Sequence, residues 1–231
     1  METIHLIPNW FVGFHISFEV VFMLATAIIA FYAFKIFKIS EQRESRNFGI
    51  AFLFLSLSYL TLIILNHLFL SVLSGNLRSL DIDDLIGLKN LALSLYVIFL
   101  TLGFLILYHT TSKFKSTPNL ILLAALSIMS IKYACEKSIL IYFIPATFLL
   151  FITYNYFKDY YSNKNKNTLL LSSSMFFLLL SNLSLGSVAK FFQPNLYVLA
   201  HFIELIAYGI IIYTLMRVLN YGKKTKQIRG H

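Results

Sequence analysis

The sequence predicts an all-α fold: a polytopic membrane protein, a seven-transmembrane-helix bundle with its N-terminus outside and its C-terminus cytoplasmic. Three observations predict it. Hydrophobic residues make up 58% of the 231 positions and charged residues only 13%, where soluble domains carry roughly 25% charge. Apolar runs of the length that crosses a bilayer core, about 20 residues, occur seven times. Lys and Arg gather on alternate connections between those runs. A soluble enzyme, a disordered regulator and a secreted disulfide scaffold are excluded by the same composition, and mean hydropathy is +0.75. The single cysteine, Cys135, has no intramolecular disulfide partner and reads as a small buried hydrophobe. A net charge of +9 in a soluble protein would suggest nucleic acid. Here the basic residues flank apolar runs, so the expected partner is the lipid bilayer, and the expected location is the cell membrane as a multi-pass integral protein.

The first run, 11–37, opens after Trp10. Residues 1–10 hold no Lys or Arg, so it lacks the basic leader of a cleavable signal and is too long for one. The polar stretch Ser40 to Asn47 separates it from the second run, 48–73. The longest connection, Ser74 to Lys89, carries Asp81, Asp83 and Asp84 and leads to the third run, 88–109. The fourth run, 119–135, is the shortest and ends at Glu136-Lys137. The fifth, 139–157, contains Pro145, which predicts a kink. The sixth spans 168–190 and the seventh 196–219, the latter entered through Gln193-Pro194-Asn195 and followed by the basic tail Lys223-Lys224-Thr225-Lys226 with Arg229. Runs of this length without alternation favour helices over barrel strands. Fourteen Lys and Arg fall on one set of connections and five on the other, a consistent alternation only with seven spans. The richer side is cytoplasmic by the positive-inside rule. Neither a linker nor an internal repeat divides the chain, so 1–231 reads as a single domain.

Ionisable groups inside a span are costly and mark function or a pairing need. Of ten acidic residues only Glu19 and Glu204 lie within runs; of six histidines, His15, His67 and His201 do. At 1.5 Å of rise per residue, His15 and Glu19 lie about 7 and 13 Å from the outer end of the first run. By the same rise His67 lies about 10 Å from the outer end of the second, and His201 and Glu204 about 9 and 13 Å into the seventh. The five groups therefore share one shallow slab in the outer leaflet. His15 and Glu19, at i,i+4, share a helix face, as do His201 and Glu204 at i,i+3. Three such faces could meet between the first, second and seventh helices. Imidazole and carboxylate ligands suit a transition metal, namely zinc, copper, iron or nickel. Haem b with two axial histidines is a further reading of the same groups, as is a proton relay or small-ligand pocket. The bland reading is that each Glu accepts a hydrogen bond from a buried His and holds helices in register. Asn66, about 100° around the helix from His67, reads as a packing group, and Asn182 and Ser184 reach the same depth on the sixth run. The Phe and Tyr richness reads as lipid-facing surface and interfacial belt.

His15-Ile16-Ser17-Phe18-Glu19, the segment Phe48-Gly49-Ile50-Ala51-Phe52 running to Asn66-His67, and His201 through Tyr213 resemble the membrane-associated sensor domains of bacteria and archaea, closest to the third type of the MASE group. Two departures stand: Ile64 occupies the place of an Asp three residues before the second-helix His, and Trp10 is the only tryptophan. The resemblance implies a sensory role. Because no output module follows Leu219, it also implies a free-standing sensor with a separate cytoplasmic signalling partner.

The expectation is thus a membrane-embedded sensory or ligand-binding module with His15, Glu19, His67, His201 and Glu204 as metal-binding residues, the question of enzymatic activity staying open. Two alternatives use the same residues. One is an intramembrane metal-dependent hydrolase of a lipid ester or amide, as in the seven-helix enzymes related to alkaline ceramidases and the adiponectin receptors, although this chain has no intramembrane Asp and no HxxxH in its last run. The other is a structural subunit of a larger membrane complex. A retinal-binding role is excluded because residues 196–216 hold no lysine.

Overall fold

A computed structural model of the chain describes residues 12–73, 82–112, 125, 127, 129, 137–191 and 194–229. Among the described residues every regular element is a helix, and six are long: α1 (Val12–Ser40), α2 (Arg43–Leu73), α3 (Ile82–Ser112), α4 (Lys137–Asn163), α5 (Lys166–Phe191) and α6 (Pro194–Arg229). Among the described residues, five stretches are long and apolar enough to cross a membrane: Phe14–Ser40, Arg43–His67, Asn90–Ser112, Lys166–Val188 and Asn195–Asn220. The molecule is therefore a helical, multi-pass membrane protein. The expected fifth run is helical, as α4, and carries Pro145 without ending there; the side chains of its first residues, 137–140, lie outside those described. The expected fourth run, 119–135, lies outside the described residues apart from Ala125, Ser127 and Met129, which are helical.

Most helices run past their apolar stretches into polar ends. Two connections whose residues are described, 41–42 and 164–165, are two residues long and use the same device. Glu41 (φ 57°) and Lys164 (φ 48°) adopt the left-handed conformation. Their N–H groups donate back to Phe37 and Tyr160 carbonyls at 2.8 and 2.7 Å, which satisfies a carbonyl the helix end would otherwise leave open. Ser40 Oγ accepts from the Gln42 N–H at 3.4 Å, and Asn165 Oδ1 accepts from the Asn167 N–H at 3.0 Å. Pro194 begins α6, where its missing N–H costs nothing.

The helices pack as a ring in the order α1, α2, α3, α4, α5, α6, with α6 closing back onto α1. Its directions are set by which residues meet. Phe34 lies against Gly49 and Met23 against Ser56, so α1 and α2 are antiparallel. In α2 and α3, the Ala51 carbonyl lies against Gly103 and Phe54 against Phe99, again antiparallel. Between α3 and α4, Val97 packs with Ile141 and Tyr108 with Phe148 and Phe151. Those two helices are parallel. Helices α1 and α6 are parallel too, since His15 meets Tyr197 and Phe22 meets Tyr208.

Phe22, Ile29, Phe52, Leu55, Leu149 and Leu178 are among the fully buried side chains that fill the ring. Phe14, Leu24, Phe31, Leu53, Leu199 and Phe202 project outward, an apolar exterior suited to lipid. At Gly103 an added Cβ would lie 2.9 Å from Leu55 and 3.0 Å from the Ala51 carbonyl. Glycine lets α2 and α3 approach closely there, as small residues do between membrane helices.

Candidate functional site

At the end of the ring where α1 begins, α2 nears its end and α6 begins, polar side chains turn inward. Glu19 is 3% exposed and Glu204 6%, and both sit well inside candidate spans. Carboxylates so placed need donors, and each has a different set.

Glu19 is held mainly from α2. Asn66 Nδ2 donates to both of its oxygens at 2.8 Å. One turn back on α1, His15 Nε2 lies 3.2 Å from Oε1, as the i,i+4 spacing predicts. The other imidazole nitrogen, Nδ1, is hydrogen-bonded to the Tyr197 hydroxyl of α6 at 2.8 Å. Glu19 thus links α1 to α2 directly and to α6 through His15.

Glu204 is held by tyrosines. Tyr59 of α2 donates to Oε1, and Tyr208, one turn along α6, donates to the same oxygen at 3.3 Å. The two tyrosine hydroxyls are themselves 2.8 Å apart. The other oxygen, Oε2, lies 3.6 Å from His201 Nδ1. Aromatic neighbours surround the His201 ring: Tyr197 with centroids 4.6 Å apart, Phe22 at 5.7 Å and Phe18 at 6.1 Å. The two imidazoles are 5.8 Å apart, centroid to centroid, so the two carboxylate groupings adjoin.

The structure therefore brings together four of the five expected site residues, His15, Glu19, His201 and Glu204. It does not bring His67 to Glu19. That side chain is exposed, and its neighbour Asn66 makes the inward contact. Adjacent residues on a helix point about 100° apart, so only one of the pair can face α1. Asn182 and Ser184 turn to carbonyls of their own helix, Leu178 at 3.0 Å and Leu180 at 2.8 Å. On α5 it is Ser181 that reaches across, donating to the Ala200 carbonyl at 3.0 Å. Among the described residues, no three His, Cys, Asp or Glu side chains converge closely enough to hold a metal ion.

The tyrosines are what the sequence reading missed. Tyr59, Tyr197 and Tyr208 are buried and hydrogen-bonded into the site, not displayed to lipid. A signal for them was present: Tyr197 is four residues before His201, Tyr208 four after Glu204, and Tyr59 seven before Asn66, all spacings that share a helix face.

No family model, curated protein or solved structure matches this chain.

Proposed function

We propose that the chain is a membrane-embedded sensory module of the cell membrane, whose site takes up a positively charged ligand and reports it to a cytoplasmic partner through α6. In this reading seven helices cross the bilayer, the N-terminus is outside, and the chain resembles the membrane-associated sensor domains named above. The parallel course of α3 and α4 supports seven crossings, because the connection between them has to return to the side from which α3 started. The Lys and Arg distribution supports the orientation: the site end is poor in them and the opposite end rich.

One observation carries the reading. Two carboxylates are buried where the first and last helices meet, with two imidazoles beside them. Negative charge in a low-dielectric interior is expensive, so the site gains from any positive charge delivered to it, whether a proton, a metal ion or an organic cation. Helix α6 then runs unbroken from Tyr197 beyond the apolar stretch that ends at Asn220, through Lys223, Lys224 and Lys226 to Arg229. A change in how α1 and α6 pack at the site has a rigid element to act on at the far end. A ligand that binds the two packings unequally shifts their populations.

The test is a distance measurement. The full chain in nanodiscs, spin-labelled at positions 38 and 220, is titrated with protons, with zinc, copper and iron ions, and with ammonium compounds. A saturable shift in the label-to-label distance that is lost in Glu19→Gln or Glu204→Gln supports the reading. No shift with any of these cations removes it.

A further inference from the structure

We propose that the outer face of α1 binds one anionic phospholipid, its phosphate held by Lys35 and Lys38 and an acyl chain lying along Val21, Leu24, Ile28 and Phe31. The inference does not depend on what the buried carboxylates bind.

These six residues follow one another at alternating intervals of three and four, so they form a single stripe along the helix. All six are exposed, while α1 turns other faces to α2 and α6. The apolar part comes first and the two lysines last. At 1.5 Å of rise per residue, Val21 to Phe31 is about 15 Å long, half of a hydrocarbon core about 30 Å thick. Lys35 lies about 6 Å beyond Phe31, at the depth of the headgroup layer. Lys38 is one turn further. Helix side chains lean toward the N-terminus, so its ammonium returns toward Lys35. The stripe thus has the length and the polarity of one phospholipid in one leaflet.

The charge on the stripe selects the headgroup. Lys35 Nζ lies 5.9 Å from the centroid of the Phe31 ring, a cation–π contact that holds the ammonium above the last apolar residue. Arg46 of α2 sits over the Phe37 ring of α1 at 5.8 Å and adds a third positive charge at this end. Among the described residues none of the three pairs with a carboxylate; the acid–base pairs that form, His15 with Glu19 and His201 with Glu204, are at the other end of the ring. Cations at a membrane surface without a protein counter-charge attract anionic headgroups. A phosphate between two ammonium groups at i,i+3 gains charge-assisted hydrogen bonds from both. A choline headgroup brings its own positive charge, which offsets that attraction. A soluble phosphate ester meets the lysines but leaves the apolar stripe unused.

The experiment is native mass spectrometry of the full chain in detergent, titrated with phosphatidylglycerol or with phosphatidylcholine of the same chain length. The first phosphatidylglycerol is expected to bind at least about tenfold more tightly than phosphatidylcholine, since each basic residue at an anionic surface is worth about fivefold. The double variant Lys35→Gln with Lys38→Gln is expected to lose at least about tenfold of that affinity by the same measure. Lys158→Gln with Lys166→Gln removes equal charge from exposed positions on α4 and α5 and is expected to lose less than about twofold, because those lysines are off the stripe. Excess glycerol phosphate is expected to leave the lipid bound. Thermal unfolding of both double variants separates lost binding from lost folding. Equal binding of the two lipids overturns the inference, as does equal loss in the two double variants, which would mean a diffuse field and no site. Displacement by glycerol phosphate overturns it in favour of a soluble phosphate ligand. A lipid-free dimer overturns it in favour of a second copy of the chain on this face.

Discussion

Glu19 and Glu204 lie on two parallel neighbouring helices, each with a histidine within one turn, yet their surroundings differ in kind. Glu19 is served by an amide, which donates but has no proton to yield, and by a histidine at the partly open rim. Glu204 is served by two hydroxyls and a histidine that is itself buried. The α2 residues that reach them, Asn66 and Tyr59, are seven residues apart, about 10 Å along the helix. Glu19 therefore leans toward the end of the ring and Glu204 toward its middle. One carboxylate sits beside the partly exposed His15; the other fixes α2 against α6 through Tyr59.

That contrast predicts an order of effects. Asn66→Leu removes the donor that serves both Glu19 oxygens, leaving a buried carboxylate with only His15. A loss of about 2–3 kcal/mol is expected, in the range of hydrogen bonds to charged groups, read as thermal unfolding in detergent. Tyr59→Phe is milder, about 1 kcal/mol, because Tyr208 still donates to Glu204 and buried hydrogen bonds between membrane helices average less than that. If it costs more than Asn66→Leu, the assignment of Glu204 as the better-served carboxylate is wrong. Next is the coupling between the two sets. A double-mutant cycle of Tyr197→Phe and Tyr59→Phe is expected to depart from additivity by at least about 0.5 kcal/mol, since the histidines of the two groupings are in ring contact. Additivity would mean two independent sites. Smallest is a control at the other end. Lys164→Gly relieves a left-handed residue and should raise stability by about 0.5 kcal/mol, with ligand binding unchanged.

The sequence exposed the fold through the length of its apolar runs, which locate six helices to within a few residues of their cores. It underestimated their ends, because Arg43–Asn47 and Lys223–Arg229 are polar yet helical. Hydropathy measures partition into lipid, whereas a helix end is set by caps and turns such as those at Glu41 and Lys164. In the site, charge was legible and hydroxyls were not. A Glu inside an apolar run is costly enough to stand out, while a Tyr fits lipid, interface or interior equally well by composition. Tyr59, Tyr197 and Tyr208 declare themselves only once α2 and α6 are placed against one another. The choice between Asn66 and His67 needed the rotation of α2, and depth alone does not supply it.

The meeting of α1 and α6 has a consequence for how the molecule is made. Synthesis commits Glu19 to the bilayer first. Asn66 follows one hairpin later, so this acid has an early companion. Tyr197, the link from His15 to the last helix, and the whole Glu204 grouping wait for nearly the full length of the nascent chain. Until the ribosome delivers α6, Tyr59 stands in a half-built ring without its acceptor. Truncated products lacking that final segment would carry unmet polar groups within the lipid, a mark by which membrane quality control could recognise them and clear them.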